Sequence, residues 1–236
     1  MPSVDRKWTP VVLIGLAVVA SLIAYGRLPA MVDLGLEGTL PVGSSETGEP
    51  VPRWLALSSM PALALLVWAA FRAAPTAAGE RVARRFFRRA PEAVTSPAQF
   101  ERFGKSYDTI VLAVVVLLLG VHAAFLAGAL GYRELAVRTI PAVFGASLVL
   151  MGNVMPRLRP NWVAGVRTTR TLEDPQLWRA THRAFGTAFV VSGILTIVVA
   201  LVAPRYGLVT GIAALVVSCV VGLVASTRPR KLSRQT

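Results

Sequence analysis

The side chains that most often carry chemistry are few in this chain and lie far apart. It has two histidines, His122 and His182, and one cysteine, Cys219. Their spacing matches no recognised metal-ligand pattern, and no Walker-type or dinucleotide glycine motif is present. No apolar stretch carries Asp or Glu well inside it, so a proton-coupled transporter would lack its usual carboxylate. We therefore predict no catalytic residue, no metal site, no cofactor and no enzymatic activity.

One of the histidines, His122, lies inside an apolar stretch. An ionisable residue within a membrane is a candidate functional residue, but a neutral histidine can also bond to a neighbouring helix. Gly120, Ala124 and Gly128 form a ridge of small residues beside it. Such a ridge favours close helix packing, either inside one bundle or between two copies of the chain. Homo-oligomerisation therefore stays open.

The densest group of polar and aromatic residues lies between residues 152 and 186. Pro156 and Pro160 would end a helix there, and Gly165 permits a backbone conformation closed to other residues. Asp174 followed by Pro175 predicts the N-cap and first residue of a new helix. On that helix the residues at 178 and 182 would share a face and point toward the membrane interface.

Two interpretations of this segment, which we call the motif loop, stay open. Its arginines and tryptophans are typical interfacial anchors, and its Asn, Pro and Gly residues are typical of turns. Alternatively the loop is functional, with Arg167 presenting a planar fork of donors to carboxylates, phosphates or carbonyls. The candidate site residues, functional or fold-defining, are Asn153, Pro156, Asn161, Gly165, Arg167, Thr168, Trp178, Thr181, His182 and Arg183.

The elements around these residues are predicted to be membrane-spanning helices. Hydrophobic residues make up 54% of the chain, charged residues only 16%, and the mean hydropathy is +0.60. A span needs about 20 apolar residues. Six stretches approach or meet that length, and we predict an all-α polytopic membrane protein of about six spans, over residues 11–26, 55–71, 109–130, 136–155, 184–203 and 206–227.

The basic residues predict the orientation. Lys and Arg concentrate in loops that stay in the cytoplasm. With both termini inside, the inner segments hold twenty of the twenty-five Lys and Arg residues, and the outer segments hold only Arg27, Arg53, Arg133, Arg138 and Arg205. The outer segment over residues 28–53 shows little helix or strand signal and carries four acids, Asp33, Glu37, Glu46 and Glu49.

The net charge of +13 is explained by this asymmetry and by contact with anionic lipid, so we predict no direct nucleic-acid binding. Residues 79–90 of the second inner segment combine apolar residues at helical spacing with arginines on the opposite face. This pattern predicts a short amphipathic helix on the inner leaflet. It would serve either as a lipid anchor or as a docking surface for a cytoplasmic partner.

The order of residues in the motif loop resembles the SdpI family of bacterial membrane immunity proteins. The resemblance rests on Gly152-Asn153, Pro156, Asn161, Gly165-Val166-Arg167-Thr168, Leu172, Trp178 and Thr181-His182-Arg183, followed by Gly186. Leu28-Pro29 also resembles the end of the first helix in a domain of unknown function that often precedes this motif. The chain would then divide into residues 1–107, a two-span region with an external acidic loop and a basic cytoplasmic linker, and residues 108–236, an SdpI-like four-span region.

The resemblance implies a multi-pass protein of the bacterial inner or plasma membrane that protects the cell against a secreted antibacterial toxin. Some members of the family are expected also to recruit a cytoplasmic repressor. The alternative is a small transporter or efflux component, in which Arg167, Arg170 and His182 would line a cytoplasmic vestibule for an anionic solute.

Overall fold

The computed structural model describes residues 8–34, 49–86 and 99–227, without the side chains of residues 99–103. Nearly all of this part of the chain is helical. The elements, in order, are α1 (Thr9–Tyr25), β1 (Met31–Val32), β2 (Val51–Pro52), α2 (Arg53–Ala73), α3 (Ala77–Phe86), α4 (Gln99–Ala129), α5 (Arg133–Val154), a 3₁₀ turn (Met155–Arg157), α6 (Thr169–Glu173), α7 (Pro175–Val202) and α8 (Pro204–Ser226).

Five of the helices are long and apolar enough to cross a bilayer: α2, α4 from Gly104 onward, α5 with its 3₁₀ turn, α7 and α8. The sixth predicted stretch forms α1, an apolar helix of 17 residues. At 1.5 Å per residue α1 is about 26 Å long, slightly short of a hydrocarbon core of about 30 Å. The expected all-α polytopic membrane fold is confirmed, while the side on which each terminus lies stays a prediction.

The first half of the helices packs as one group. Ile14 of α1, Ala64 of α2 and Val115 of α4 form a shared buried cluster. The small side chain of Ala64 is fully buried, which lets the three helices approach closely. The proposed division between residues 107 and 108 lies within α4, which continues through both positions.

The second half is organised by a glycine seam between α5 and α7. A Cβ on Gly145 would lie 2.6 Å from the carbonyl oxygen of Gly193, and one on Gly152 would lie 2.6 Å from that of Gly186. Because the spacing is seven residues on each helix, the two antiparallel helices meet at two successive points along one face. Any side chain here would force the backbones apart, so the seam fixes how the ends of α5 and α7 meet beneath the motif loop.

The small-residue ridge of α4 also serves packing inside the bundle. A Cβ on Gly120 would lie 2.4 Å from a methyl group of Val143 in α5. Ala124 is fully buried and packs with Ala127 and Ala136. At these positions the ridge therefore faces α5, which decides between the two packing partners that the sequence left open.

The end of the bundle that is predicted to face outward shows a feature that the sequence did not signal. Within residues 28–53, expected to be a loop, β1 and β2 pair as a two-residue antiparallel ladder. Arg53 donates to the carbonyl oxygen of Leu28 at 2.8 Å and lies 4.2 Å above the ring of Tyr25. Asp33 forms an ion pair with Arg133 at 2.8 Å, which reduces the acidity expected of this surface. Glu37 and Glu46 lie outside the described residues.

The predicted amphipathic helix is present as α3 up to Phe86, and residues 87–90 lie outside the described residues. Some of its apolar residues face the protein and others face away from it. Ala83 is fully buried against the protein, whereas Val82 is 49% and Phe86 75% exposed. Val82 and Phe86 therefore remain available to a membrane surface, and the helix is further stabilised by the Glu80–Arg84 pair at 2.7 Å.

Candidate functional site

The motif loop begins where α5 ends. Pro156 cannot continue the α-helical hydrogen bonding, and the chain passes through the 3₁₀ turn into an extended residue, Leu158. Leu158 is 2% exposed and its carbonyl oxygen accepts a hydrogen bond from the indole Nε1 of Trp178 at 2.7 Å. The bond ties the start of the loop to the first turns of α7.

The next turn is built by Asn161, which is fully buried. Its Oδ1 accepts hydrogen bonds from the backbone N–H groups of Val163 and Ala164 at 2.9 and 2.8 Å, and its Nδ2 donates to the carbonyl of Arg159 at 2.8 Å. Asparagine commonly forms such turns because its amide copies a backbone peptide group. All three bonds go to the loop itself, so this side chain holds the loop's shape.

His182 and Gly165 form the closest contact of the loop with α7. Nε2 of His182 lies 3.1 Å from the backbone N–H of Val166, and Nδ1 lies 2.9 Å from the carbonyl of Trp178. Since an amide N–H only donates and a carbonyl only accepts, both bonds are satisfied by the neutral tautomer with its proton on Nδ1. Gly165 has φ +107°, and a Cβ there would lie 2.0 Å from Nε2. Glycine is therefore required at this position.

The rings of Trp178 and His182 stack with centroids 3.8 Å apart, and both side chains are fully buried. The expectation that they point toward the membrane interface is wrong. They share one face of α7, as the i, i+4 spacing predicted, but that face is covered by the loop and by α5. The predicted helix start itself is correct, because the Asp174 side chain accepts from the backbone N–H groups of Gln176 and Leu177.

The short helix α6 is fixed by a reciprocal cap. Thr168 Oγ1 accepts from the backbone N–H of Thr171, and Thr171 Oγ1 accepts from that of Thr168. Thr171 is fully buried, and its hydroxyl donates to the carbonyl of Val166 at 2.7 Å. Thr171 was not among the predicted site residues, although a hydroxyl residue three positions after Thr168 is a spacing typical of a capping box. The glycine seam was not predicted either.

A second layer of the loop faces outward. Arg157, Arg159, Arg167 and Arg170 are exposed. Arg167 donates through Nη1 to the carbonyl of Trp162, and Arg170 donates to the carbonyl of Thr227 at the end of α8, 3.2 Å away. His182 lies beneath this layer, so it does not line a vestibule with Arg167 and Arg170. The loop is a rigid cap with a buried hydrogen-bonded layer and a basic exterior.

The remaining candidates of the motif loop are dispersed. Asn153 and Pro156 are exposed near the end of α5, and Arg183 is exposed on α7. Thr181 is fully buried, and its hydroxyl has no hydrogen-bond partner among the described residues. The structure thus gathers Asn161, Gly165, Thr168, Trp178 and His182 around one turn and leaves the other residues of the set outside it.

His122 lies in a separate polar contact within the first half of the bundle. It is 2% exposed, and its Nε2 lies 2.9 Å from Oγ of Ser21 on α1. That hydroxyl also lies 3.1 Å from the carbonyl of Leu57 on α2. The three groups join α1, α2 and α4, and this geometry matches a histidine that bonds a neighbouring helix.

Across the described ranges, no group of three or more His, Cys, Asp or Glu side chains is placed to hold a metal ion. No curated protein and no solved structure matches the chain. Residues 157–227, under a third of the chain, match the model of the SdpI/YfhL protein family. The match covers the loop from Arg157 onward together with α6, α7 and α8, and begins just after the Gly152-Asn153 part of the motif.

A family match in this region and five helices able to span a bilayer identify a multi-pass protein of the cell membrane. Similarity to this family suggests a membrane protein of the immunity type, and the family is not known for enzymatic activity. The match of residues 157–227 to the SdpI/YfhL family model confirms the resemblance recognised from the order of residues in the motif loop.

Proposed function

We propose that this protein protects its host cell against a secreted, membrane-active antibacterial toxin, and that it does so by binding without turnover. The observation that supports the proposal most directly is the family match over residues 157–227, a range that contains most of the motif loop together with α6, α7 and α8. The motif residues gathered there hold one another in place through backbone hydrogen bonds, an arrangement suited to a binding surface.

The basic exterior of the cap favours an acidic partner inside the cell. Arg157 and Arg159 are exposed beside the buried turn of Asn161. A guanidinium on a rigid support loses little freedom when it forms a bidentate pair with a carboxylate. The charge asymmetry of the chain predicts that this end faces the cytoplasm. We therefore propose that a cytoplasmic repressor, as the family resemblance implies, docks on this exterior.

The toxin would be met from the other side, at the outer end formed by the β1–β2 ladder and the adjoining helix ends. This end is braced by Arg53 and by the Asp33–Arg133 pair. Since Asp33 already bonds to Arg133, the acids of residues 28–53 would attract a cationic toxin less strongly than four unpaired carboxylates would. Binding would then depend more on apolar contact with the exposed helix faces in the membrane.

The test is a titration of toxin against cells that express graded amounts of the protein. A stoichiometric binder is overwhelmed once the toxin exceeds it, whereas a catalytic detoxifier continues to clear toxin at a fixed rate. Deleting the gene should sensitise the host, and plasmid-borne protein should restore survival. Survival that is unchanged by deletion and overexpression, together with substrate flux in proteoliposomes, would replace this proposal with the transport alternative.

Docking on the cap is tested separately with the double variant Arg157→Gln, Arg159→Gln. It should keep its membrane level, because neither side chain is buried, and lose the transcriptional response to toxin. The matched control is Arg205→Gln, an exposed arginine near the start of α8 at the opposite end of the bundle. An unchanged response in the double variant would exclude these two arginines as the docking contacts.

A further inference from the structure

Helix α7 is longer than the membrane needs, and its charges mark where it leaves the bilayer. It has 28 residues, about 42 Å at 1.5 Å per residue, against a hydrocarbon core of about 30 Å. The 19 residues from Ala184 to Val202 carry no charge and account for about 28 Å of this length. We therefore expect Arg183 at the edge of the core and Arg179 one turn farther out, among the lipid headgroups.

A shallow, open groove of about 620 Å³ runs along this part of α7. Its described lining residues are spaced by three and four positions, so they form a single strip of the helix surface: Gln176, Arg179, Ala180, Arg183, Ala184 and Thr187. The two arginines and Gln176 occupy the outer part of the strip. The alanines leave room between them, and Thr187 lies one turn inside the uncharged section of the helix.

The guanidinium groups of Arg179 and Arg183 face this groove without an acidic partner. Neither side chain takes part in an ion pair or hydrogen bond within the described structure, and both are exposed. The nearby carboxylate of Asp174 instead accepts hydrogen bonds from the first backbone N–H groups of α7. Two arginines at i, i+4 without an acidic partner among the described residues, at the depth expected of the headgroups, match the charge of a phosphate group.

We propose that this groove binds the phosphate of an anionic phospholipid from the surrounding bilayer. The shape of the groove favours a lipid over a soluble phosphate ester, because it crosses from the headgroup zone into the apolar zone. An occupant must therefore carry a charged end for Arg179 and Arg183 and an apolar end beside Ala184 and Thr187. The bound lipid would also pack against α7, the helix that carries His182, on the face opposite the motif loop.

The experiment uses the purified full-length chain in detergent and measures bound lipid by native mass spectrometry. Phosphatidylglycerol should bind about ten-fold or more tightly than phosphatidylcholine with the same acyl chains, because both carry an anionic phosphate but only phosphatidylcholine adds a choline cation that the two arginines repel. Arg179→Gln with Arg183→Gln should remove that preference. The control pair Arg27→Gln with Arg205→Gln deletes two exposed charges from the other end and should keep it.

Two further measurements distinguish binding in this groove from nonspecific attraction by positive charge and from binding of a soluble phosphate ester. Ala184→Leu narrows the groove while keeping both arginines, and it should weaken phosphatidylglycerol binding by about ten-fold as well. Glycerol phosphate, which has the charge but no acyl chains, should fail to compete at equal concentration. The proposal is overturned if both arginine pairs reduce binding equally, if Ala184→Leu binds like the unaltered protein, or if glycerol phosphate competes as well as the lipid.

Discussion

The contact between Gly165 and His182 makes the sharpest prediction about the motif loop. Replacing Gly165 with alanine adds one methyl group, and that group meets two obstacles. The backbone is held at φ +107°, which side chains rarely accept, and the new Cβ would lie 2.0 Å from Nε2 of His182. The ring must move, and the hydrogen bond from the Val166 N–H at 3.1 Å is then lost.

The expected loss of stability is the sum of these two effects. A non-glycine residue in such a backbone conformation costs about 1–3 kcal/mol. Leaving the Val166 N–H and the histidine nitrogen without partners costs a further 1–3 kcal/mol or so. Gly165→Ala should therefore lower the free energy of unfolding by about 2–6 kcal/mol, a large part of the roughly 5–15 kcal/mol that a folded protein has in total.

The chain offers matched controls for each effect. Gly131 has φ +91° and open space around its Cβ position, so Gly131→Ala carries the backbone strain alone. Gly104 has neither obstacle and lies in α4, where alanine is favoured by about 0.5–1 kcal/mol. Thermal unfolding of the purified variants in detergent should rank them with Gly104→Ala at or above the unaltered protein, Gly131→Ala below it, and Gly165→Ala lowest.

A double variant isolates the contact itself. If the excess cost of Gly165→Ala arises from His182, that excess should disappear in a His182→Ala background, leaving only the cost seen at Gly131. The reasoning would be refuted if Gly165→Ala unfolded at the same temperature as Gly131→Ala or above it. It would also be refuted if the extra destabilisation of Gly165→Ala persisted in the His182→Ala background.

Three other predictions follow from the same structure. Trp178→Phe removes the donor to the Leu158 carbonyl at 2.7 Å. Thermal unfolding should show a free energy of unfolding lower by about 1–3 kcal/mol. The control Trp54→Phe, at a position 60% exposed, should leave that free energy almost unchanged. Ser21→Ala removes the partner of His122 Nε2. It should lower the free energy of unfolding by less than about 1.7 kcal/mol, the upper range for hydrogen bonds between membrane helices. A larger loss would mean that the contact supports more than α1. Reporter fusions after residues 45 and 134 should report the outside and fusions after residues 90, 170 and 236 the cytoplasm, and an outside signal at residue 90 would reverse the orientation.

The sequence by itself determined the class of protein, the approximate spans and the family. These three conclusions follow from hydropathy, charge and residue order, which can be read along the chain without knowing its tertiary contacts. Apolar runs of about 20 residues have few stable arrangements other than helices across a bilayer, and the distribution of Lys and Arg predicts their direction. Local rules also located the Asp174-Pro175 helix start, because a cap depends only on residues within one turn of it.

Only the tertiary structure decided which way the motif side chains point. The spacing of Trp178 and His182 placed them on one face of a helix, but nothing local says whether that face meets lipid or protein. It meets protein because the glycine seam brings α5 and α7 close enough for the loop to fold over the start of α7. The hydrogen-bond partners of Asn161 and His182 are backbone groups, which have no residue-specific signature in the sequence, and Gly165 meets a ring that lies 17 residues farther along the chain. Their roles therefore became visible only when the loop and the helix were seen in contact.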